Sequence, residues 1–275
     1  MAEGEARDAA ASEAGADDAP HWRADRMVSA QQTIGPVKWH VPEEAPIALI
    51  YNGLTFAVML ASPADLTDFV IGFSLTEGIA DTPGDISKIE VHERKQGINI
   101  HVTLNEQKFE RLTLRQNRRS LEGRTSCGLC GIDSAERLFE PLPRVADARV
   151  GLNSKNVAEA VAQLKDKQPL KALNRSVHGV AWVNGEGEVM LVREDVGRHN
   201  ALDKLLGAMA RAGTDPKAGF VLMTSRASFE IVEKAARQGV RALVALSAPT
   251  AFAIRRASEA NLTLANYSSD TLTLF

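Results

Sequence analysis

Two cysteines, separated by two residues, are the only ones in a chain of 275 residues, and they lie in the run 123–131, GRTSCGLCG. A thiolate is a nucleophile and a metal ligand, so Cys127 and Cys130 are the first candidates for chemistry. As half of a zinc site the pair needs two further ligands, yet there are no other cysteines and the six histidines offer no second pair at ligand spacing. As a thioredoxin-like dithiol it should open a helix after a strand, where the helix dipole lowers the thiol pKa. As a nucleophilic or sulfur-carrying thiol it needs access, mobility and nearby positive charge. Gly123, Gly128 and Gly131 supply mobility and Arg124 a charge. A persulfide carrier must visit a donor and an acceptor, which a mobile loop permits. Two inert structural cysteines are the plain alternative, although buried cysteines seldom sit among three glycines.

Two further groups of residues attract attention. Ser225, Arg226 and Ser228, then residues 247–250 (SAPT), then Asn266, Tyr267, Ser268, Ser269 and Asp270 each follow an apolar, strand-like run. Open α/β sheets place ligands at the carboxyl ends of their strands, and a helix starting there offers free N–H groups to a phosphate. Arg226 could grip a phosphate bidentately. Each Ser or Thr is also explained by ordinary helix capping; three such places together favour an anionic ligand. Residues 194–200 (EDVGRHN) bring Glu194, Asp195, Arg198, His199 and Asn200 to the start of a helix, more than capping requires. His178 stands just before a strand-like run.

These residues need a scaffold, and the patterning predicts one. Runs 47–51 and 54–60 flank Asn52-Gly53, which suits a type I′ turn, and so form a hairpin. Ser62 as N-cap and Pro63 in the first turn open a helix whose Leu66, Phe69, Val70 and Phe73 make one buried stripe, ended by Gly78. Strands are expected over 86–91 and 98–104, and over 108–119 a basic stretch with Lys108, Arg111, Arg115, Arg118 and Arg119, read as a solvated helix face or, more sharply, as an electropositive approach to the cysteine loop. A short helix follows over 132–140, and another begins at Asn153-Ser154. A second hairpin turns at Asn184-Gly185. From residue 219 strands and helices alternate, which implies βαβ units in a largely parallel sheet. The division expected is a disordered acidic tail (1–26), an α+β unit (27–120), a mobile cysteine loop with a short helix (121–140) and a ligand-binding α/β unit (141–275).

Composition excludes some classes. Apolar content of 44% with 24% charged residues is that of a soluble globular protein. Residues 1–20 account for −5 of charge, so the net −3 leaves the remainder at +2, without the basic face that nucleic acid requires. The first residues lack a signal peptide's basic start and apolar core, and no run reaches the ~20 apolar residues of a membrane span. A cytosolic setting without nucleic acid or membrane is expected, where a cysteine pair is redox-active, catalytic or metal-binding rather than a crosslink.

With these residues assembled, the chain resembles the FdhD family of sulfur carriers (accessory sulfurtransferases) required for formate dehydrogenase. The resemblance covers nearly everything after the acidic tail. It rests on residues 48–53 (ALIYNG), 62–66 (SPADL), 72–78 (GFSLTEG), 123–131, 194–204 (EDVGRHNALDK) and 225–228 (SRAS). It implies a cytoplasmic homodimer that takes persulfide sulfur from a cysteine desulfurase and passes it to a molybdenum bis(molybdopterin guanine dinucleotide) cofactor, before that cofactor enters the formate dehydrogenase catalytic subunit. It implies a larger domain similar to cytidine deaminases, Cys127 as the persulfide carrier, and Cys130 as its partner. It places the cofactor against Tyr267, Ser268, Ser269, Asp270, Thr271 and Leu272; Ser225, Arg226, Ser228, His178, Asp195 and His199 join them from the strand ends. No metal of the protein's own is expected. Two departures stand out. The family's glycine-rich run before its histidine is here Asn174-Arg175-Ser176-Val177, and its basic residue and glycine after the last strand are Ser268-Ser269-Asp270. Asp270 would repel a phosphate; Arg226 or Arg175 would compensate. The alternatives are a zinc-dependent, deaminase-like hydrolase, which would need a His-X-Glu that does not precede the cysteines, and a cofactor-binding chaperone without sulfur chemistry.

Overall fold

The computed structural model describes residues 23–32, 35–119, 140–145 and 151–275. The cysteine loop, residues 1–22 of the expected acidic tail and most of the short helix expected over 132–140 lie outside the described residues, while Asp25 and Arg26, at the end of that expected tail, already belong to a strand. The first elements are an antiparallel pair, β1 (Asp25–Gln32) and β2 (Gly35–Pro42). A four-stranded sheet follows, built of β3 (Ala45–Tyr51), β4 (Leu54–Ala61), β5 (Ile86–Arg94) and β6 (Gly97–Leu104) in the order β4-β3-β6-β5. The β3–β4 hairpin turns on Asn52 and Gly53 at φ 45° and 86°, the left-handed pair a type I′ turn demands. The Asn52 side chain also accepts from the Leu104 amide at 2.7 Å and so fastens this turn to the end of β6.

Helix α1 (Leu66–Thr76) covers the four-stranded sheet, setting Phe69, Val70 and Phe73 on Ile47, Leu49, Ile98 and Ile100. It starts later than Ser62 suggested. Asp65 is the cap, in a left-handed conformation with no side-chain bond to the helix, while Ser62 is fully buried and engaged elsewhere. Nor is the burial a single stripe, since residues 68–76 are all buried. The opposite face of α1 packs on α5 (Arg198–Ala212) across two glycines. A Cβ on Gly72 would lie 1.7 Å from the Asp203 carbonyl oxygen, and one on Gly207 1.9 Å from that of Asp68. This close crossing joins the four-stranded sheet to the larger one. Helix α2 (Glu106–Arg119) closes the first part. Lys108 is buried, not solvated: it pairs with Asp81, close to Asp85.

The larger sheet has six strands in the order β12-β11-β10-β9-β7-β8. They are β7 (His178–Asn184), β8 (Val189–Asp195), β9 (Gly219–Arg226), β10 (Ala242–Ser247), β11 (Thr263–Ser268) and β12 (Thr271–Leu274). Only β9, β10 and β11 form parallel pairs; β7 and β12 run against their neighbours, so the sheet is mixed rather than largely parallel. Alternation along the strands sorts the two faces. Val180, Trp182, Val221, Met223 and Leu243 meet α5, α6 (Phe229–Arg237) and α7 (Ala251–Ala260). Ala181, Val183, Phe220, Leu222 and Val244 meet Val157, Ala160 and Leu164 of α3 (Ser154–Asp166), which Asn153 caps as expected. A short helix, α4 (Pro169–Asn174), leads into β7. The β7–β8 turn is longer than the Asn-Gly pair suggested, with Gly187, not Gly185, at positive φ. Among the described residues no helix is long and apolar enough to cross a membrane.

Candidate functional site

The mixed topology collects the residues singled out in the sequence. β9, β10 and β11 end at Arg226, Ser247 and Ser268. β7, running the other way, begins at the same edge with His178, whose register partner is Asp195 at the end of β8. Ser247 is paired in register with Arg226. Five strands thus bring His178, Asp195, Ser225, Arg226, Ser247 and Ser268 to one edge of the sheet.

Asp195 holds this edge together. It is fully buried, and its carboxylate accepts from the Gly197 amide (2.8 Å), the Asn200 side chain (3.1 Å), the Ser62 amide (2.9 Å) and Lys204 (2.6 Å). Lys204 is itself fully buried and also donates to the Ser62 and Glu194 carbonyls. The Ser62 hydroxyl accepts from the Val196 amide at 3.1 Å, and Asn200 donates to the Leu60 carbonyl. The charged block at residues 194–204 is therefore a clamp between β8, α5 and the end of β4. All of Asp195's bonding capacity is used inside it, so Asp195 serves the edge by fixing the β8–α5 turn. Glu194 accepts from the Leu170 and Lys171 amides of α4, and burial raises its pKa.

His199, one residue into α5, faces α6. Its Nε2 lies 2.8 Å from a carboxylate oxygen of Glu230 and 3.4 Å from the Ser228 hydroxyl. The His199 hydrogen bond holds the Glu230 carboxyl below its usual range, helped by the charges of Arg198 and Lys234. Burial lowers the pKa of His178, and the charges of Arg198 and Lys171 lower it further. Ser225 and Ser228 are buried, and the Ser228 side chain makes no capping bond to α6 although it stands at the N-cap. Arg226 is exposed and makes no ion pair among the described residues.

Tyr267, Ser268, Ser269, Asp270, Thr271 and Leu272 form a tight hairpin at the same edge, with Tyr267 opposite Leu272 and Ser268 opposite Thr271. The turn is made by Ser269 and Asp270 at φ 47° and 57°, a left-handed pair without glycine, and strained non-glycine backbone of this kind collects at functional sites. The Tyr267 hydroxyl donates to Asp270 at 3.3 Å, which draws that carboxylate back toward the strand. Cys127 and Cys130 lie outside the described residues. Among those described, no three of His, Cys, Asp and Glu cluster as metal ligands.

Sequence reasoning had missed Glu230 and Lys204. Glu230 looks like a dipole-matching acid in the first turn of α6, and Lys204 lies six residues from the nearest charge other than Asp203, that of Arg198. Neither pattern reveals a partner 31 or 9 residues away without the fold.

Comparisons with known proteins fit this picture. The FdhD/NarQ family model matches residues 42–272. The "Sulfur carrier protein FdhD" of Bordetella petrii is 48% identical over 228 residues, covering 82% of this chain and 81% of that one. That of Cupriavidus necator is 49% identical over 228 residues, covering 82% and 78%. In fold the chain is similar to a Desulfotalea psychrophila protein described as a formate dehydrogenase accessory protein, with a TM-score of 0.68 and 23% identity over 91% of this chain and 95% of that one.

Proposed function

The chain belongs to the FdhD/NarQ family, and on that premise we propose that it is a cytoplasmic sulfur carrier serving formate dehydrogenase. The observation that carries the reading is that one family match spans both the cysteine pair and the segments converging on the sheet edge. Relatives bearing the sulfur-carrier name at 48–49% identity support it.

In this reading Cys127 is the carrier. Its thiolate attacks the outer sulfur of a persulfide on a cysteine desulfurase; a new S–S bond forms to Cys127 as the donor's S–S bond breaks, and the donor leaves as thiolate. No net oxidation occurs. Arg124 steadies the developing charge, and Cys130 is the partner thiol. The outer sulfur would then pass to a reduced, Mo(IV)-level bis(molybdopterin guanine dinucleotide) acceptor: the Cys127 S–S bond breaks, the sulfur is taken up as sulfide with two electrons from the molybdenum, which rises to Mo(VI), and Cys127 leaves as thiolate. This is the activity of a sulfurtransferase.

The acceptor's nucleotide end suits the sheet edge. Arg226 is exposed there, and the uncapped start of α6 leaves amide groups for an anion. Ser225, Ser228, His178 and His199 line the same edge, and residues 267–272 close its far side. A second copy of the chain completes the assembly as a homodimer, and the larger sheet takes the cytidine-deaminase-like role in cradling the nucleotide. The test is complementation. In cells lacking their own carrier, this chain should restore active formate dehydrogenase and Cys127→Ala should not. Full activity with Cys127→Ala would leave only a cofactor-holding role.

A further inference from the structure

Four carboxylates lie at the carboxyl edge, and among the described residues none of them pairs with an arginine: Asp195 is committed to Lys204, Glu230 to His199 and Glu194 to the α4 amides, while Asp270 accepts from the Tyr267 hydroxyl. Two guanidinium groups remain. Arg226 is exposed on the last residue of β9. Arg198, the first residue of α5, is only partly exposed; its Nε is shut off from solvent and has no hydrogen-bond partner among the described residues. Among the described residues Arg198 makes no ion pair. Its charge nevertheless reaches its surroundings, acting on both His178 and Glu230. A buried donor left unmade costs free energy, and the donors of a guanidinium match two oxygens of a phosphate.

We propose that Arg198 is the principal phosphate-binding residue of this edge, and that with Arg226 and His178 it grips the diphosphate of a nucleotide-type ligand. The proposal rests on the reading that a nucleotide-bearing acceptor docks here, and it assigns the contact to a side chain that the strand-end pattern did not single out. His178 reports occupancy. The groups that face it are Arg198 and His199 of α5, Lys171 of α4 and Asp195 of β8. An anion placed on Arg198 relieves the repulsion and raises the pH at which His178 takes its proton.

The experiment uses the full chain and two probes, inorganic pyrophosphate and guanosine diphosphate, in titration calorimetry. Arg198→Gln should weaken both by about tenfold to a hundredfold, the worth of one charged hydrogen-bonded contact. Arg198→Lys, which keeps the charge and loses the fork, should fall between. Without ligand, Arg198→Gln should melt at or above the wild-type temperature, because it removes an unsatisfied donor. Pyrophosphate should raise the His178 titration midpoint, followed by NMR, in the wild type and not in Arg198→Gln. Unchanged pyrophosphate affinity in either variant would overturn the proposal. So would a large fall in the melting temperature of Arg198→Gln, which would mean that an acid of the chain itself holds the guanidinium. Sulfur loading of wild-type Cys127 is read separately by mass. Its failure beside Arg198-dependent pyrophosphate binding would remove the carrier reading and leave the anion site standing.

Discussion

Replacing Lys204 by methionine should cost this protein a large part of its stability, and the size can be argued from the contacts. Lys204 and Asp195 are both fully buried and 2.6 Å apart. Lys204 also donates to the Ser62 carbonyl at 2.9 Å and the Glu194 carbonyl at 3.3 Å. Methionine fills a similar volume, so little is lost to a cavity, but it leaves the Asp195 carboxylate buried and uncompensated. Breaking one side of such a pair costs about 3–5 kcal/mol, against a total of roughly 5–15 kcal/mol for a folded domain. Urea unfolding followed by tryptophan fluorescence gives the loss directly. The double variant Asp195→Asn with Lys204→Met carries no buried charge at this place. It should lose less than the sum of the two single variants by about 1–3 kcal/mol, the coupling expected of groups in contact. A single-variant loss below about 1 kcal/mol, or strict additivity in the cycle, would refute the clamp, since a typical exposed pair is worth no more than that.

The remaining predictions concern the same edge and the contact between the sheets. His178 binds its proton less readily in the folded chain than in the unfolded one. Above its ordinary value of about 6.5 it contributes nothing, and as the pH falls below that value the unfolded chain is protonated first and stability is lost. His178→Gln should therefore flatten part of the acid decline in melting temperature, and identical profiles would contradict the burial of this ring. Gly207→Ala would place a methyl against the Asp68 carbonyl and force α1 and α5 apart, with an expected loss of about 3 kcal/mol in denaturant unfolding. Ser269→Gly should raise stability by up to about 1 kcal/mol, because glycine adopts the left-handed turn without strain; a destabilised variant would argue against that turn. Asp270→Asn, which removes the acid nearest the expected ligand, should tighten pyrophosphate binding in the same calorimetric assay.

Much of the scaffold was legible because local signals and tertiary structure agreed. Asn52-Gly53 turned as its conformational freedom dictates, Asn153 capped α3, and the alternation after residue 219 gave α6 and α7 between parallel strands. The failures have physical causes. Ser62-Pro63 carries the signature of a helix start, but a clamp more than 130 residues away recruits the serine. The β1–β2 pair lacks a clean alternation, α4 is only six residues long, and β12 follows a turn that lacks the glycine by which such turns are recognised. Lys108 reads as solvated because its partners, Asp81 and Asp85, lie more than 20 residues away. In the candidate site, Arg226 and the two serines could be placed at a strand end from sequence. The commitments of Asp195, Glu230 and Glu194, which leave Arg198 without an ion pair among the described residues, exist only in three dimensions.

The central claim is that Cys127 carries sulfur, and intact-mass spectrometry addresses it most directly. The purified chain, reduced and then incubated with a cysteine desulfurase and cysteine, should gain the mass of one sulfur atom, lose it on treatment with a thiol, and gain nothing as Cys127→Ala. An unchanged wild-type mass, or an equal gain in Cys127→Ala, would contradict the account.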